Sequence, residues 1–463
     1  MLKTFLSLCK DVILLLISLA LALWFRSFIR EGQLGIDTYT VFRHFILFVP
    51  IICISVLFFL IYGLYDRHVL YKRRKLIQHI LMASVGTFIG GIVWFYLFPL
   101  DLGLRPKLIL LFYVVFSAIC ATLARYRYLF YGKDGNKLEA SSFNMSGIGG
   151  GNEIKRFFAQ LKEVKYTGYK PIDLIDPQQI TTDQGVQILR EKLLADKVQY
   201  VVLDTRDDHA VQLGRKLYYL VFEGVKFVTF QDMYERVYDR EDLTYIDEEW
   251  FIGNITAKND YVYMILKRVL DLLVVLPLFL ISLIFYPFIW LAIKIEDGGP
   301  LFAKMERIGQ NNKVINIIKF RSMRGVDDGT WVLKEGNAEQ KKNEGRQMRV
   351  TKVGKFIRKT RIDEFPQFWN IIRGDLSMVG PRPEMPKMVE VYEKEIPFYS
   401  ARHTVRPGLS GWAQIHHEIP PHSIEGTKEK LSYDLYYLKH RSFFLDLLII
   451  LRTVQTFLSA VGV

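Results

Sequence analysis

The run VLDLLVVLPLFLISLIFYPFIWLAI, Val269 to Ile293, decides how the chain is arranged. A bilayer core takes about 20 apolar residues per helix, and this run is long enough to cross. Pro277 and Pro287 interrupt it, and each removes a backbone donor and bends a helix. If the run crosses, the densely charged residues 300–463 lie on the far side of the membrane. If it enters one leaflet, breaks and returns, both flanks share one side. Lys267 and Arg268 precede it and Lys294 follows it. Basic flanks stay cytoplasmic, so cations at both ends favour a re-entrant helix over about 267–295.

Upstream, the apolar runs are Val12–Phe25, Phe45–Leu64, Ile80–Leu100 and Leu108–Ala124. The second and third are the strongest spans and the first is the shortest. With Lys3 and Lys10 before it and Ala20-Leu21-Ala22 near its end, the first also reads as a signal peptide. Trp24 and Phe25 carry the apolar run past that cleavage point, which favours a retained helix. Loop 66–75 holds five Lys/Arg and 125–137 holds four, against two in 101–107. The positive loops place everything from about 125 onward inside.

The chain has 463 residues and a formal charge of +13, which nucleic acid or anionic lipid headgroups would each satisfy. In a chain with membrane segments, headgroups are the better partner, and no nucleic acid is expected. Cys9, Cys53 and Cys120 all fall in the membrane segments, which excludes a disulfide framework, a thiolate zinc site and cysteine catalysis elsewhere. Residues 141–236 alternate β-branched runs such as VQYVVLD with helix-like stretches, the pattern of a parallel α/β unit. GIGGGNE, Gly147 to Glu153, stands at a strand-to-helix turn where glycines let backbone N–H groups meet a phosphate. Asn152 breaks the dinucleotide pattern at its last glycine, so a tight turn without a ligand is the better reading.

The dense chemistry lies beyond residue 300. NIIKFRSMR, Asn316 to Arg324, reads as a short strand delivering Lys319 and Arg321, followed by a polar stretch to about Arg349. TRIDEFPQFW, Thr360 to Trp369, sets Asp363 beside Glu364 with Arg358 and Arg361 just upstream. Pro366 is comfortable only in a first turn, which starts a helix near 361–363 and puts both carboxylates at its positive end. The dipole and the neighbouring arginines are then expected to hold Asp363 ionised. Such a carboxylate can attack phosphorus or hold Mg²⁺, with Arg358, Arg382 and Arg406 neutralising phosphate oxygens. The bland alternative is a helix cap with surface ion pairs, and composition alone does not separate the two.

The stretches KFRSM, DEFPQFWNIIRGDLSMVGPRPE, RPGLSGWAQI and DLYYLKHRSFFLD, in this order, resemble the bacterial sugar transferase family of polyprenyl-phosphate phosphoglycosyl transferases. The N-terminal bundle and α/β unit are similar to the long form of that family. The resemblance implies a membrane α-helical bundle over 1–130, a cytoplasmic Rossmann-like α/β domain over 131–250, and an α+β catalytic domain over 251–463 with a re-entrant membrane helix. It implies transfer of a sugar-1-phosphate from a UDP-sugar to polyprenyl (undecaprenyl) phosphate with release of UMP. The route would be a covalent Asp-phosphosugar with Mg²⁺, at the cytoplasmic face of a bacterial inner membrane. The product would start an exopolysaccharide, capsule or O-antigen type glycan. Asp363 would be the nucleophile, with Glu364 its partner in holding the metal. Lys319, Arg321, Arg358, Arg382, Arg406 and Asp434 would bind phosphate or nucleotide. Dimerisation through the bundle is compatible with the long form.

The chain departs from the family in places. Leu283-Ile284 stands where members carry a Ser-Pro break, which leaves the site of the kink open. Met305 replaces a glutamine. Past GWAQ the chain reads Ile415, His416, His417, with His422 beyond. Those histidines suggest a metal site or, more simply, a polar loop on the sugar side. Two other classes compete: a nucleotide-sensing regulator with an inactive transferase domain, using GIGGGNE, and a channel. Uncharged strong spans disfavour the channel, and the intact dyad disfavours the regulator.

Overall fold

The computed structural model describes residues 2–31, 38–65, 73–97, 106–125, 143–163, 168–256, 261–324, 350–416 and 423–458. The polar stretch before Arg349, most of the basic loops, His417 and His422 lie outside them. The chain divides into two compact units, Met1–Met233 and Tyr234–Val463.

The first unit opens with four helices, α1 (Leu2–Glu31), α2 (Thr38–Ile61), α3 (Arg73–Leu97) and α4 (Pro106–Ala124). They share a core that includes Leu19, Phe48, Ile51, Ile80 and Tyr113. By length and composition, Ser7–Arg26 and Leu76–Leu97 suffice to cross a membrane, whereas the apolar parts of α2 and α4, Phe45–Ile61 and Leu108–Ala124, are shorter. The second run reads as apolar to Leu64, but the helix stops at Ile61 and the chain turns through Gly63 at φ 60°. The first run extends in both directions beyond its apolar centre, because Asp11 is not left bare. Arg125 donates to both its carboxylate oxygens, at 3.2 and 2.7 Å, with both residues buried. A paired charge is the affordable way to hold an acid in such a bundle.

After the bundle comes an all-parallel sheet of order β2-β1-β3-β4, made by β1 (Phe143–Ile148), β2 (Tyr169–Ile175), β3 (Tyr200–Leu203) and β4 (Lys226–Thr229). Helices α5 (Asn152–Glu163), α6 (Asp183–Ala195) and α7 (Asp208–Lys216) alternate with the strands. Parallel neighbours require such crossovers, and the apolar faces of α6 and α7 close a core around Ile148, Val201 and Leu213, while Phe157 of α5 packs edge-on against Phe230. Helix α8 (Phe230–Tyr238) follows β4.

The second unit takes in residues 234–250, which the sequence assigns to the α/β domain. Here Trp250, on the short helix α9 (Glu248–Phe251), joins a core with Tyr392, Tyr399, Leu431 and Leu435. Helices α10 (Tyr261–Leu283) and α11 (Tyr286–Asp297) then meet at 50°. The bend falls at Ile284-Phe285, one residue past the Leu283-Ile284 position where the family resemblance places its break, and neither proline makes it. Pro277 lies inside the continuous α10, and Pro287 sits in the first turn of α11, where its missing N–H costs no helical bond. Leu273, Leu280, Ile284, Phe288 and Ile295 on this pair are each more than 60% exposed, an apolar surface that water does not favour.

The remainder is a hairpin of β5 (Phe302–Ile308) and β6 (Val314–Phe320), then α12 (Lys352–Lys359), α13 (Gln367–Arg373), β7 (Ser377–Val379), α14 (Pro386–Glu395), β8 (Gly408–Ser410), α15 (Trp412–His416), α16 (Ile424–His440) and α17 (Phe443–Leu458). Strands β7 and β8 pair in parallel. A core of Val275, Phe368, Ile371, Leu376, Trp412 and Ile449 ties α10, α13, α15 and α17 together.

Candidate active site

Three segments meet at the acidic dyad. The first is β6, whose end presents Lys319. Asn370, fully buried on α13, holds that strand: its Oδ1 accepts from Ile318 N at 3.0 Å and its Nδ2 donates to Asn316 O at 2.7 Å. The second is α12 with the turn after it. Thr351 caps α12 through Gly354 N at 2.8 Å, and Glu296 at the end of α11 accepts from Lys352 N and Val353 N at 2.5 and 2.9 Å. Arg361 then adopts left-handed backbone, φ 54°, to swing the chain into a 3-10 turn over Ile362–Glu364. The dyad therefore sits in a turn ahead of the helix, which begins at Gln367 and not near 361–363. The third segment is the Gly380–Pro383 loop after β7. A Cβ on Gly380 would come within 2.4 Å of the Arg406 carbonyl, so only glycine lets the Arg382 and Arg406 loops run this close.

The two carboxylates have unlike surroundings. Lys319 Nζ donates to Glu364 Oε1 at 3.0 Å, and Arg382 Nη2 donates to the same oxygen at 3.3 Å. Burial alone would raise the Glu364 pKa, but Lys319 and then Arg382 outweigh it and hold it at about 2. Asp363 is buried, and among the described residues no side chain bonds or pairs with its carboxylate. Burial pushes its pKa up; Lys319 opposes this from a distance, Glu364 adds to it, and Arg358 opposes it more weakly. The dipole and the arginines, expected to hold Asp363 ionised, are therefore opposed by its burial. Desolvation wins at Asp363, and the cations spend themselves on Glu364.

The other expected residues divide. Arg358 is half-buried near Met323, with its Nη1 3.5 Å from the sulfur, and makes no ion pair with a described acid. Arg406 is exposed. Both are available to an incoming anion. Arg321 is committed to Asp297 at 2.8 Å, which fastens the end of β6 to the end of α11. Asp434 is 1% exposed and is paired with Arg402, so it has no open face for a phosphate. Sequence reasoning passed over Arg402 and Asn370, because in one chain nothing distinguishes a buried arginine in ARHTVRPG from its exposed neighbour four residues on.

The base of the α10–α11 pair grips the same site. Arg268 donates to the carbonyls of Ile371 and Ile372 at 2.7 and 2.6 Å. Asp271 Oδ1 accepts from Ser377 Oγ and Met378 N, both at 3.0 Å. Lys267 donates to Val379 O at 2.8 Å and pairs with the buried Asp446 at 3.0 Å.

Elsewhere, His416 stacks on Tyr433 with ring centroids 5.0 Å apart, and its Nδ1 meets Trp412 O at 2.9 Å. Glu235, Glu241 and His440 lie close enough to share a cation, but the Lys439 ammonium is already there, 2.5 Å from Glu235 and 3.1 Å from Glu241. In the first unit, the glycine turn after β1 is filled by the chain itself. Gly150 N donates to Asp207 Oδ2 at 3.0 Å, and a Cβ on Gly149 or Gly151 would lie 2.6 or 2.7 Å from Asp204. Two carboxylates where an anion would sit repel phosphate, which agrees with a turn without a ligand.

The Bacterial sugar transferase family profile matches residues 262–460, the span that carries all of this geometry. An uncharacterized sugar transferase of Bacillus subtilis (strain 168) is 36% identical over 200 residues, 43% of this chain and 91% of that one. The chain therefore belongs to the bacterial sugar transferase family. A UDP-N-acetylgalactosamine-undecaprenyl-phosphate N-acetylgalactosaminephosphotransferase of Aeromonas hydrophila is 36% identical over 268 residues, 57% of this chain and 59% of that one. A UDP-glucose:undecaprenyl-phosphate glucose-1-phosphate transferase of Klebsiella pneumoniae is 40% identical over 193 residues, 41% of this chain and 40% of that one. The chain spans about half the length of these two relatives.

Proposed function

We propose that the protein transfers a sugar-1-phosphate from a UDP-sugar to polyprenyl phosphate, releasing UMP, at the cytoplasmic face of a bacterial inner membrane. The observation that carries this is the asymmetry of the dyad. Glu364 is locked by two cations, while Asp363 keeps an uncommitted carboxylate beside them. A carboxylate of raised basicity is the better nucleophile once ionised. An oxygen of Asp363 attacks the phosphorus that bears the sugar, the bond to the UMP oxygen breaks, and UMP leaves. A phosphate oxygen of the lipid then attacks the same phosphorus and frees Asp363. Lys319, Arg358, Arg382 and Arg406 neutralise the non-bridging oxygens in both steps, where preorganised cations stabilise developing charge.

The donor set also fits Mg²⁺. Glu364 Oε2 has no partner among the described residues, and Asp363 adds a second hard oxygen. Bound there, Mg²⁺ would polarise the diphosphate and ease departure of UMP.

The re-entrant reading is supported by anchorage. Residues 267–271 toward one end of the α10–α11 pair and Glu296 and Asp297 at the other bond to the same compact unit, as expected if both flanks share one side of the membrane. The exposed apolar surface near the bend would enter the cytoplasmic leaflet, where the lipid phosphate waits. The helices of the first unit would span the membrane as a bundle.

The test is UMP release by purified protein in detergent with polyprenyl phosphate, Mg²⁺ and a panel of UDP-sugars. Wild type is expected to release UMP from one of them, and Asp363→Asn from none. Release that survives the substitution would discard Asp363 as nucleophile, and silence of well-folded wild type would discard the reaction.

A further inference from the structure

Arg402 lies on the 3-10 turn Tyr399–Thr404 and is 2% exposed. Each nitrogen of its guanidinium donates a hydrogen bond. Nε donates to Asp434 Oδ2 at 2.9 Å, Nη2 pairs with the same oxygen at 2.8 Å, and Nη1 donates to the Tyr399 hydroxyl at 2.8 Å. Nη2 donates also to the backbone carbonyl of Arg382, at 2.8 Å. Two residues on, Lys430 pairs with the Glu384 carboxylate, and the Glu384 carbonyl accepts from Ile308 N at 2.9 Å. The 382–384 backbone is thus held from three directions. By contrast, the Arg382 side chain is 38% exposed and reaches outward to Glu364.

We infer that Arg402, braced by Asp434, is a positioning residue: it fixes the Arg382 backbone and so aims the Arg382 guanidinium at Glu364 and at the diphosphate of a bound nucleotide sugar. This rests on the transferase reading. A long, partly exposed arginine is only as well aimed as the backbone from which it springs. A misplacement of about 1 Å can cost about 100-fold in rate. Arg402 suits the task because its planar fork serves Asp434 and the carbonyl together, which a lysine ammonium of the same charge cannot do in that geometry. Asp434 therefore acts on catalysis through two intermediaries and touches no substrate.

The test is a double-mutant cycle on the full-length protein, read as kcat/KM for UMP release. Asp434→Asn and Arg402→Lys are each expected to lower kcat/KM about 100-fold. In an Arg382→Ala background, which has already lost the guanidinium they aim, each is expected to cost less than about threefold, because residues that act as a unit are not additive. Tyr399→Phe removes one bond from Arg402 without burying an unpaired charge, and it serves the same cycle if the charged variants do not fold. Equal losses in both backgrounds from an active parent would overturn this inference and leave the transferase reading intact. A folded Asp434→Asn with wild-type kcat/KM would do the same. Silence of the wild type would overturn both.

Discussion

Lys319 and Arg382 reach the same oxygen of Glu364, at 3.0 and 3.3 Å, from two segments 63 residues apart in the chain. Glu364 thereby stores positive charge beside Asp363 without consuming the Asp363 carboxylate. Lys319→Met removes the nearer cation. Turnover is expected to fall at least about 100-fold, the cost of losing one preorganised charge-stabilising group. Initial rates at saturating UDP-sugar check this, and a rate within about threefold of wild type would take Lys319 out of the site.

The division between the units has its own consequence. Trp412 Nε1 donates to Asp239 O at 2.8 Å, and Glu241 N donates to Ser432 O at 3.1 Å. Trp250 is buried in the catalytic core. A chain starting at Tyr234 should keep the fold of the second unit, whereas one starting at Tyr261 loses these anchors and strips cover from α15 and α16. The shorter chain is expected to melt at least about 4–8 °C lower, the shift that about 1 kcal/mol produces in a small domain. Thermal unfolding of both purified fragments decides it, and equal melting temperatures would make 234–256 a mere linker.

Side-specific labelling tests the re-entrant reading of the α10–α11 pair. With the three native cysteines replaced by serine, Tyr261→Cys at the first residue of α10 and Lys304→Cys after α11 are expected to react with an impermeant maleimide from the same side of sealed vesicles. Reaction from opposite sides would make the pair a broken span.

Acid stability should show two successive windows. Burial, aided by Arg402, lowers the His403 pKa from 6.5 to about 4. Between those values the unfolded chain binds a proton that the native state refuses, so stability falls as pH drops through that range. The effect totals roughly 3 kcal/mol, and His403→Gln should flatten it. Glu364 and Glu384 are held at about 2 against an ordinary 4.5. Their contribution is complete above pH 4.5 and is lost as pH falls toward 2. Urea midpoints from pH 7 to 3, with and without His403→Gln, measure the first window.

Much of this was readable because chemistry clusters along the chain. Asp363, Glu364, Arg358 and Arg382 lie within 25 residues, and apolar runs announce helices without help from tertiary contacts. What escaped depends on distant partners. The relative ionisation of the dyad is set by Lys319, 45 residues away, and by burial, which no local pattern encodes. Arg402 and Asp434 look like surface charges until the fold buries them together. Pro277 looks like a break, yet packing carries α10 straight past it, and the chain bends instead at Ile284-Phe285, which holds no proline. The ties of residues 234–250 escaped for the same reason, since Glu235, Glu241 and Arg240 close ion pairs onto the distant α16.

Glu296 caps α12 from the last turn of α11, and α12 carries Arg358. On the re-entrant reading, one carboxylate would couple an element whose depth the lipid sets to an element whose angle the reaction needs. The bilayer would then be a working component of the site: thinner or thicker membranes, by raising or lowering the α10–α11 pair, would retune it without any residue being changed.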